Sequence, residues 1–174
     1  MSGVVWITGL PASGKTTLGR RIMEALHRRG ARAALLDSDV ARAAVTPKPT
    51  YAEEERMLFY RALAWTASVL AAEGVFAVVA ATAHDVRLRD AVRGLAPTML
   101  LVFARCPIEL CEARDPKGLY RDARTRERGA LPGVHVPFDE PLDADVVVDT
   151  SQIVGEAEID RVVDATLTKV RLVA

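Results

Sequence analysis

The residues from Gly9 to Thr17 read GLPASGKTT, and Gly9, Gly14, Lys15 and Thr16 satisfy the spacing G-x-x-x-x-G-K-[ST]. Glycines allow positive φ and a close backbone approach to a ligand. Consecutive N–H groups of such a loop, backed by a helix N-terminus, can therefore surround a polyphosphate. Each of Gly9, Leu10, Pro11, Ala12, Ser13, Gly14, Lys15, Thr16 and Thr17 is a candidate nucleotide contact. Lys15 would bring a full positive charge to the β and γ phosphates of ATP, and the Thr16 hydroxyl could ligate magnesium. A second stretch, LDSDVAR from Leu36 to Arg42, ends an apolar run in two carboxylates, Asp37 and Asp39. One of them can hold the metal or its water, and the other can orient or deprotonate an attacking hydroxyl. The sequence does not assign which does which; Asp37 is taken for the metal beside Thr16, and Asp39 also for the acceptor. A third stretch, CEARDPKGLYRDAR, sets Arg114, Lys117, Arg121 and Arg124 close together. Cations there can close over ATP, and an arginine so placed is worth about 10³–10⁵ in rate.

These groups need elements to position them. VVWITG (Val4 to Gly9) is a β-branched and aromatic run ending in glycine, which predicts a buried parallel strand directly before the loop. Leu18, Ile22 and Leu26 recur at helical spacing from Lys15 to about Arg29, with Gly30 as the stop. Four more strands are expected, in ARAALLDSD, VFAVVAATA, TMLLVFARC and DADVVVDT. Helices are expected over Tyr51 to Gly74, DVRLRDAVRGL and Pro107 to about Ala113, and at the C-terminal end, where Ile159, Val162, Val163, Leu167 and Val170 form one stripe. Strands alternating with helices predict an α/β fold, a five-stranded parallel sheet with helices on both faces. The two aspartates would then lie beside the phosphate loop at the carboxyl edge, where such folds bind ligands. Residues 114–136, rich in Arg, Gly and Pro, are expected to form a mobile lid on a single domain spanning 1–174.

The bounds agree with a soluble enzyme. Lys plus Arg and Asp plus Glu number 23 each, so no general affinity for nucleic acid is implied. No apolar run approaches the roughly 20 residues of a membrane span, and no secretory leader is evident. Cys106 and Cys111 read as reduced thiols of a cytoplasmic protein; neither they nor His27, His84 and His135 have zinc-site spacing. The absence of N-K-x-D argues against a guanine-specific GTPase.

GLPASGKTT, LDSDVAR, CEARDPKGLY and VVVDT, in this order, resemble the adenylyl-sulfate kinases, and RDPKGLY is the most specific part. The resemblance implies a P-loop kinase fold and transfer of the γ-phosphoryl of ATP, with magnesium, to the 3′-hydroxyl of adenylyl sulfate. It assigns catalysis to Lys15, Asp37 and Asp39, and ATP contacts to Arg114, Lys117 and Arg121. For the acceptor it points to Arg42, Tyr51, Arg56, Phe59 and Leu131. The acceptor is expected to be anionic, since guanidinium pairs bidentately with phosphate-type oxygens. A homodimer is left open.

The departures from the family pattern cluster on the acceptor side. DGDNVR becomes DSDVAR. In FSxxDRxENIRR, Tyr51 replaces the stacking Phe, Arg56 matches, and Phe59 falls on a polar Asn. SPYR becomes AHDV at residues 83–86, and FTGI becomes LPGV, which puts Leu131 where an aromatic would stack. A same-fold kinase for another nucleotide derivative, a sugar or an antibiotic therefore stands beside the family reading. A non-catalytic nucleotide-binding module is a third possibility.

Overall fold

The computed structural model describes residues 1–125 and 130–173. In chain order the elements are β1 (Val4–Thr8), α1 (Lys15–Arg28), β2 (Ala33–Asp37), α2 (Ser38–Val45), α3 (Glu53–Ala72), β3 (Phe76–Ala80), α4 (Val86–Leu95), β4 (Leu100–Arg105), α5 (Ile108–Arg114), α6 (Leu119–Thr125), β5 (Val146–Asp149) and α7 (Glu156–Val173). The strands form one parallel sheet in the order β2-β3-β1-β4-β5.

β1 lies at the centre, and all five of its residues are buried. That explains a continuous apolar run where alternation would mark a one-sided sheet. On one face Val5 and Ile7 pack with Leu18, Ile22 and Leu26 of α1 and with Ile159, Val162, Val163 and Val170 of α7. On the other, Val4 and Trp6 pack with Phe59, Tyr60 and Leu63 of α3 and Leu88 and Val92 of α4. Gly19 is where α1 comes nearest the sheet: a Cβ there would stand 2.9 Å from Leu35 Cδ1. No helix among the described residues is long and apolar enough to cross a membrane.

Three local features differ from the sequence expectation. Helix α2 follows β2 with no loop, because Asp37 caps it by accepting from the N–H groups of Asp39 (2.8 Å) and Val40 (3.4 Å). Here the aspartate-rich stretch that read as a strand end also begins a helix. α3 starts at Glu53 rather than Tyr51, since Tyr51 adopts φ 58, outside the helical region. Glu55 reaches back to the N–H groups of Thr50 and Tyr51, in the manner of a capping box. The lid contains α6, whose first turn is held by Asp115 accepting from the N–H groups of Tyr120 (3.1 Å) and Arg121 (3.0 Å). Residues 126–129 of the expected lid lie outside the described residues.

Candidate active site

The phosphate loop joins β1 to α1 and takes its shape from three left-handed residues, Gly9, Ala12 and Gly14, at φ 154, 58 and 88. A Cβ on Gly9 would stand 2.6 Å from the carbonyl oxygen of Ala104, so β4 leaves room only for glycine there. Gly14 directly precedes α1, so the free N–H groups of its first turn open onto the loop. Ser13 is fully buried, and its hydroxyl has no hydrogen-bond partner among the described residues.

Lys15 curls back over the loop and donates to the carbonyl oxygen of Leu10 at 2.6 Å. Burial pushes its ammonium down to about 8, against the pull of Asp39, Cys111 and Asp37. The cation is held at an energetic cost that phosphate oxygens would relieve. Thr16 donates its hydroxyl to Asp37 Oδ2 at 2.6 Å. Burial raises the Asp37 carboxyl, but the Thr16 hydroxyl and the N–H groups of Asp39 and Val40 outweigh it and keep it below the usual carboxylate range. Asp39, two residues on in the first turn of α2, is exposed and forms an ion pair with Lys117 (2.5 Å), whose ammonium that contact raises. The two carboxylates thus have different surroundings. Asp37 faces the loop threonine, and Asp39 faces the lid.

The root of the lid is anchored by apolar contacts that its composition conceals. Cys106, Cys111 and Tyr120 are buried together, with Leu10, Ala12, Ile108, Leu131 and Val134 packed around them. The Tyr120 hydroxyl donates to the carbonyl oxygen of Pro11 at 3.0 Å, tying α6 to the phosphate loop. Arg114 donates to the Ser151 carbonyl oxygen (3.0 Å) and approaches Cys106 Sγ (3.5 Å). Arg121 extends into solvent beside Asp122. Leu131 packs in this cluster, and its N–H donates to His135 Nδ1, while His135 Nε2 meets the Ala123 carbonyl oxygen at 3.1 Å. That pairing assigns the proton to Nε2 and clips the turn to α6.

The expected acceptor residues divide into two groups. Tyr51 and Arg56 line a cavity of about 430 Å³ with Met57, His84, Asp85 and Pro137. Phe59 and Arg42 do not line it. Phe59 is 4% exposed and belongs to the core; the Arg42 guanidinium lies 3.8 Å above its ring and 5.3 Å from that of Tyr51. Glu55, 3.2 Å from Arg42, completes this enclosure. Arg56 donates through Nε to the Tyr51 carbonyl oxygen (2.9 Å) and through Nη2 to that of Ala130, joining the start of α3 to the lid. Sequence reasoning missed Glu55, Tyr120 and His135 as positioning residues. The only signal for Glu55 was its place three residues after Ala52 at a helix start.

The comparisons with known proteins follow the same lines. A model of the adenylylsulphate kinase family matches residues 1–149. A probable adenylyl-sulfate kinase of Halalkalibacterium halodurans is 34% identical, covering 92% of this chain and 81% of its own. The adenylyl-sulfate kinase of Paraburkholderia xenovorans is 33% identical, covering 97% and 95%. The Mycobacterium tuberculosis APS kinase CysC, solved with AMPPNP and APS, superposes with a TM-score of 0.87 at 28% identity, over 94% of this chain and 96% of that one. With the P-loop, the capped Asp37 and the RDPKGLY lid root in one fold, the chain belongs to the adenylyl-sulfate kinase family of phosphotransferases.

Proposed function

We propose that the protein transfers the γ-phosphoryl group of ATP to the 3′-hydroxyl of adenylyl sulfate. The observation that carries this reading is the convergence of Thr16 on Asp37 and of Lys117 on Asp39, which gathers loop, acid pair and lid at one edge of the sheet. Lys15 and the loop N–H groups hold the β and γ phosphates. Asp39, released from Lys117, holds the acceptor hydroxyl and takes its proton as oxygen attacks phosphorus; the β,γ-bridging bond breaks and ADP leaves. Lys117 then turns to the charge on the transferring group. Arg114 and Arg121 stand at the lid root for the nucleotide. Thr16 and Asp37 present hard oxygen donors of the kind magnesium prefers, and would hold it or its waters together with phosphate oxygens. When bound, the metal neutralises charge on the β and γ phosphates. Two free buried thiols fit a reducing, cytoplasmic setting.

A second acceptor within the same chemistry is favoured by one observation: both expected anion-binding arginines are engaged, Arg42 by Glu55 and Arg56 by two carbonyl oxygens. The test measures ADP formation from magnesium-ATP with adenylyl sulfate, other nucleotides and phosphorylated sugars. Turnover on adenylyl sulfate above every alternative is expected. Higher kcat/KM on another acceptor would replace the proposal with the second reading, and no acceptor-dependent turnover on any would refute both.

A further inference from the structure

His84 sits on the turn after β3, where the family resemblance places the loop written SPYR and this chain reads AHDV. The turn is rigidly made. Ala83 adopts φ 37, its N–H donates to the Tyr60 hydroxyl (3.2 Å), and its carbonyl oxygen accepts from the buried Arg89 (2.9 Å). The His84 carbonyl oxygen accepts from the N–H of Asp139 at 2.8 Å, so the backbone is fixed on both sides of the imidazole. A left-handed alanine held by two such contacts marks strain kept for a purpose. His84 lines the same cavity as Tyr51 and Arg56, and its buried Nδ1 has no hydrogen-bond partner among the described residues. An imidazole at the wall of a ligand-sized cavity can offer a nitrogen to a ligand there.

The charges around the cavity indicate which part of a ligand belongs there. Its wall carries the cations Arg56 and Arg87 and the carboxylates Glu53, Asp85 and Asp139. Arg87 is already paired with Glu53 (2.8 Å) and Asp85 (2.5 Å). Such a wall has no surplus of positive charge for a phosphosulfate. Tyr51 supplies an aromatic face suited to stacking. A neutral heterocycle with a polar edge is the group that fits. Burial, then the nearby Arg56 cation, holds the His84 imidazole below its ordinary value. A neutral ring offers one donor and one acceptor nitrogen.

We propose that His84 is a specificity-determining residue of the acceptor site, hydrogen-bonding the polar edge of the acceptor's base while Tyr51 covers its face. The inference rests on the reading of adenylyl sulfate as acceptor. In this chain the imidazole supplies side-chain recognition at a turn where the family pattern has serine and a basic residue. The contact reads the base, so it affects acceptor binding and leaves the ATP side alone.

The test compares wild type with His84→Ala, His84→Gln and His84→Phe in steady-state ADP formation, varying adenylyl sulfate and ATP separately. The expected result is a rise of about five- to tenfold in KM for adenylyl sulfate in the Ala and Phe variants, the scale of one neutral hydrogen bond. KM for ATP should stay within twofold, and His84→Gln, which keeps a donor and an acceptor, should stay within about threefold of wild type. His84→Phe fills the same space without nitrogens, so it decides the matter if the Ala variant fails to fold. An unchanged KM for adenylyl sulfate in the folded Ala or Phe variant overturns the inference while leaving the proposed function intact. A wild type that does not phosphorylate adenylyl sulfate overturns both.

Discussion

Replacing Phe59 by leucine would test whether the core of this protein holds the Arg42 guanidinium in place. The ring is 4% exposed, meets Tyr60 edge-on with centroids 5.6 Å apart, and carries the Arg42 guanidinium at 3.8 Å. Leucine keeps most of the apolar volume and removes the ring quadrupole. A cation–π contact as desolvated as this one, with Arg42 only 9% exposed, is worth about 2 kcal/mol. The lost aromatic pair adds about 0.5–1.5 kcal/mol. The variant should therefore unfold about 2.5–3.5 kcal/mol more easily, which for a chain of this length lowers Tm by about 5–14 °C. A double-mutant cycle with Arg42→Met isolates the contact between the two side chains. Coupling of at least about 1 kcal/mol is expected for residues in direct contact. Activity should change in the same sense: with Arg42 no longer seated, KM for the acceptor should rise severalfold while KM for ATP holds. Additive mutations, with coupling within the error of the unfolding measurement, would show that the ring is simply core and does not position Arg42. Phe59→Asn makes the same point from the other side. Asparagine suits a family member whose neighbouring residues were built around it, whereas here it would bury an amide without a partner under a guanidinium.

Four other outcomes follow from the same geometry. Lys15→Ala should lower turnover by at least about 10²-fold with the fold retained, because the ammonium meets charge that develops on the phosphoryl oxygens; near-normal turnover with unchanged melting would refute the loop assignment. Asp37→Asn and Asp39→Asn should both slow turnover under saturating magnesium and acceptor. Only the Asp37 variant should raise the magnesium concentration needed for half-maximal rate, and wild-type rates in both would remove the carboxylates from the chemistry. Amide exchange over residues 114–125 and 130–136 should slow when an ATP analogue and acceptor bind, as phosphate charge gathers Arg114, Lys117 and Arg121; unchanged protection would make the segment a fixed surface element. Burial pushes the Cys111 thiol up to about 12, so it should alkylate far more slowly at pH 8 in the native protein than in the unfolded chain. Its contribution to stability is fully present below the unfolded value near 9 and is lost as pH rises from there toward 12. Cys111→Ala should flatten that part of the stability–pH curve, and an identical curve would refute the assignment.

How much could be read in the sequence depended on how local the physics was. The phosphate loop is specified within nine residues, since its glycines, lysine and threonine act through their own backbone and the helix that follows. The sheet was legible for a similar reason: β1, β3 and β4 are buried on both faces and so carry unbroken apolar runs. β5 shows the limit. It alternates buried and exposed residues at the sheet edge, yet VVVD reads like the other strands, because the exposed Val147 is as apolar as its buried neighbours.

The acceptor side needed contacts across the chain. Nothing near Arg56 indicates that its guanidinium reaches Ala130, 74 positions away, or near Tyr120 that its hydroxyl finds Pro11. Nor does local sequence indicate that Phe59 faces inward, because α3 is apolar on more than one side and periodicity cannot then choose a face. The family pattern singled out Phe59 and AHDV as departures but could not show that they have different consequences. Phe59 is absorbed by the core beneath the Arg42 guanidinium, whereas His84 stays at the cavity wall, with a nitrogen unpaired among the described residues. A substitution that a core can enclose changes how well an existing contact is held. One at a cavity wall, on a turn fixed by Tyr60, Arg89 and Asp139, changes which ligand the wall can recognise. On that reasoning any change in acceptor preference across the family should follow residue 84 more closely than residue 59, and exchanging the two positions one at a time would separate their effects.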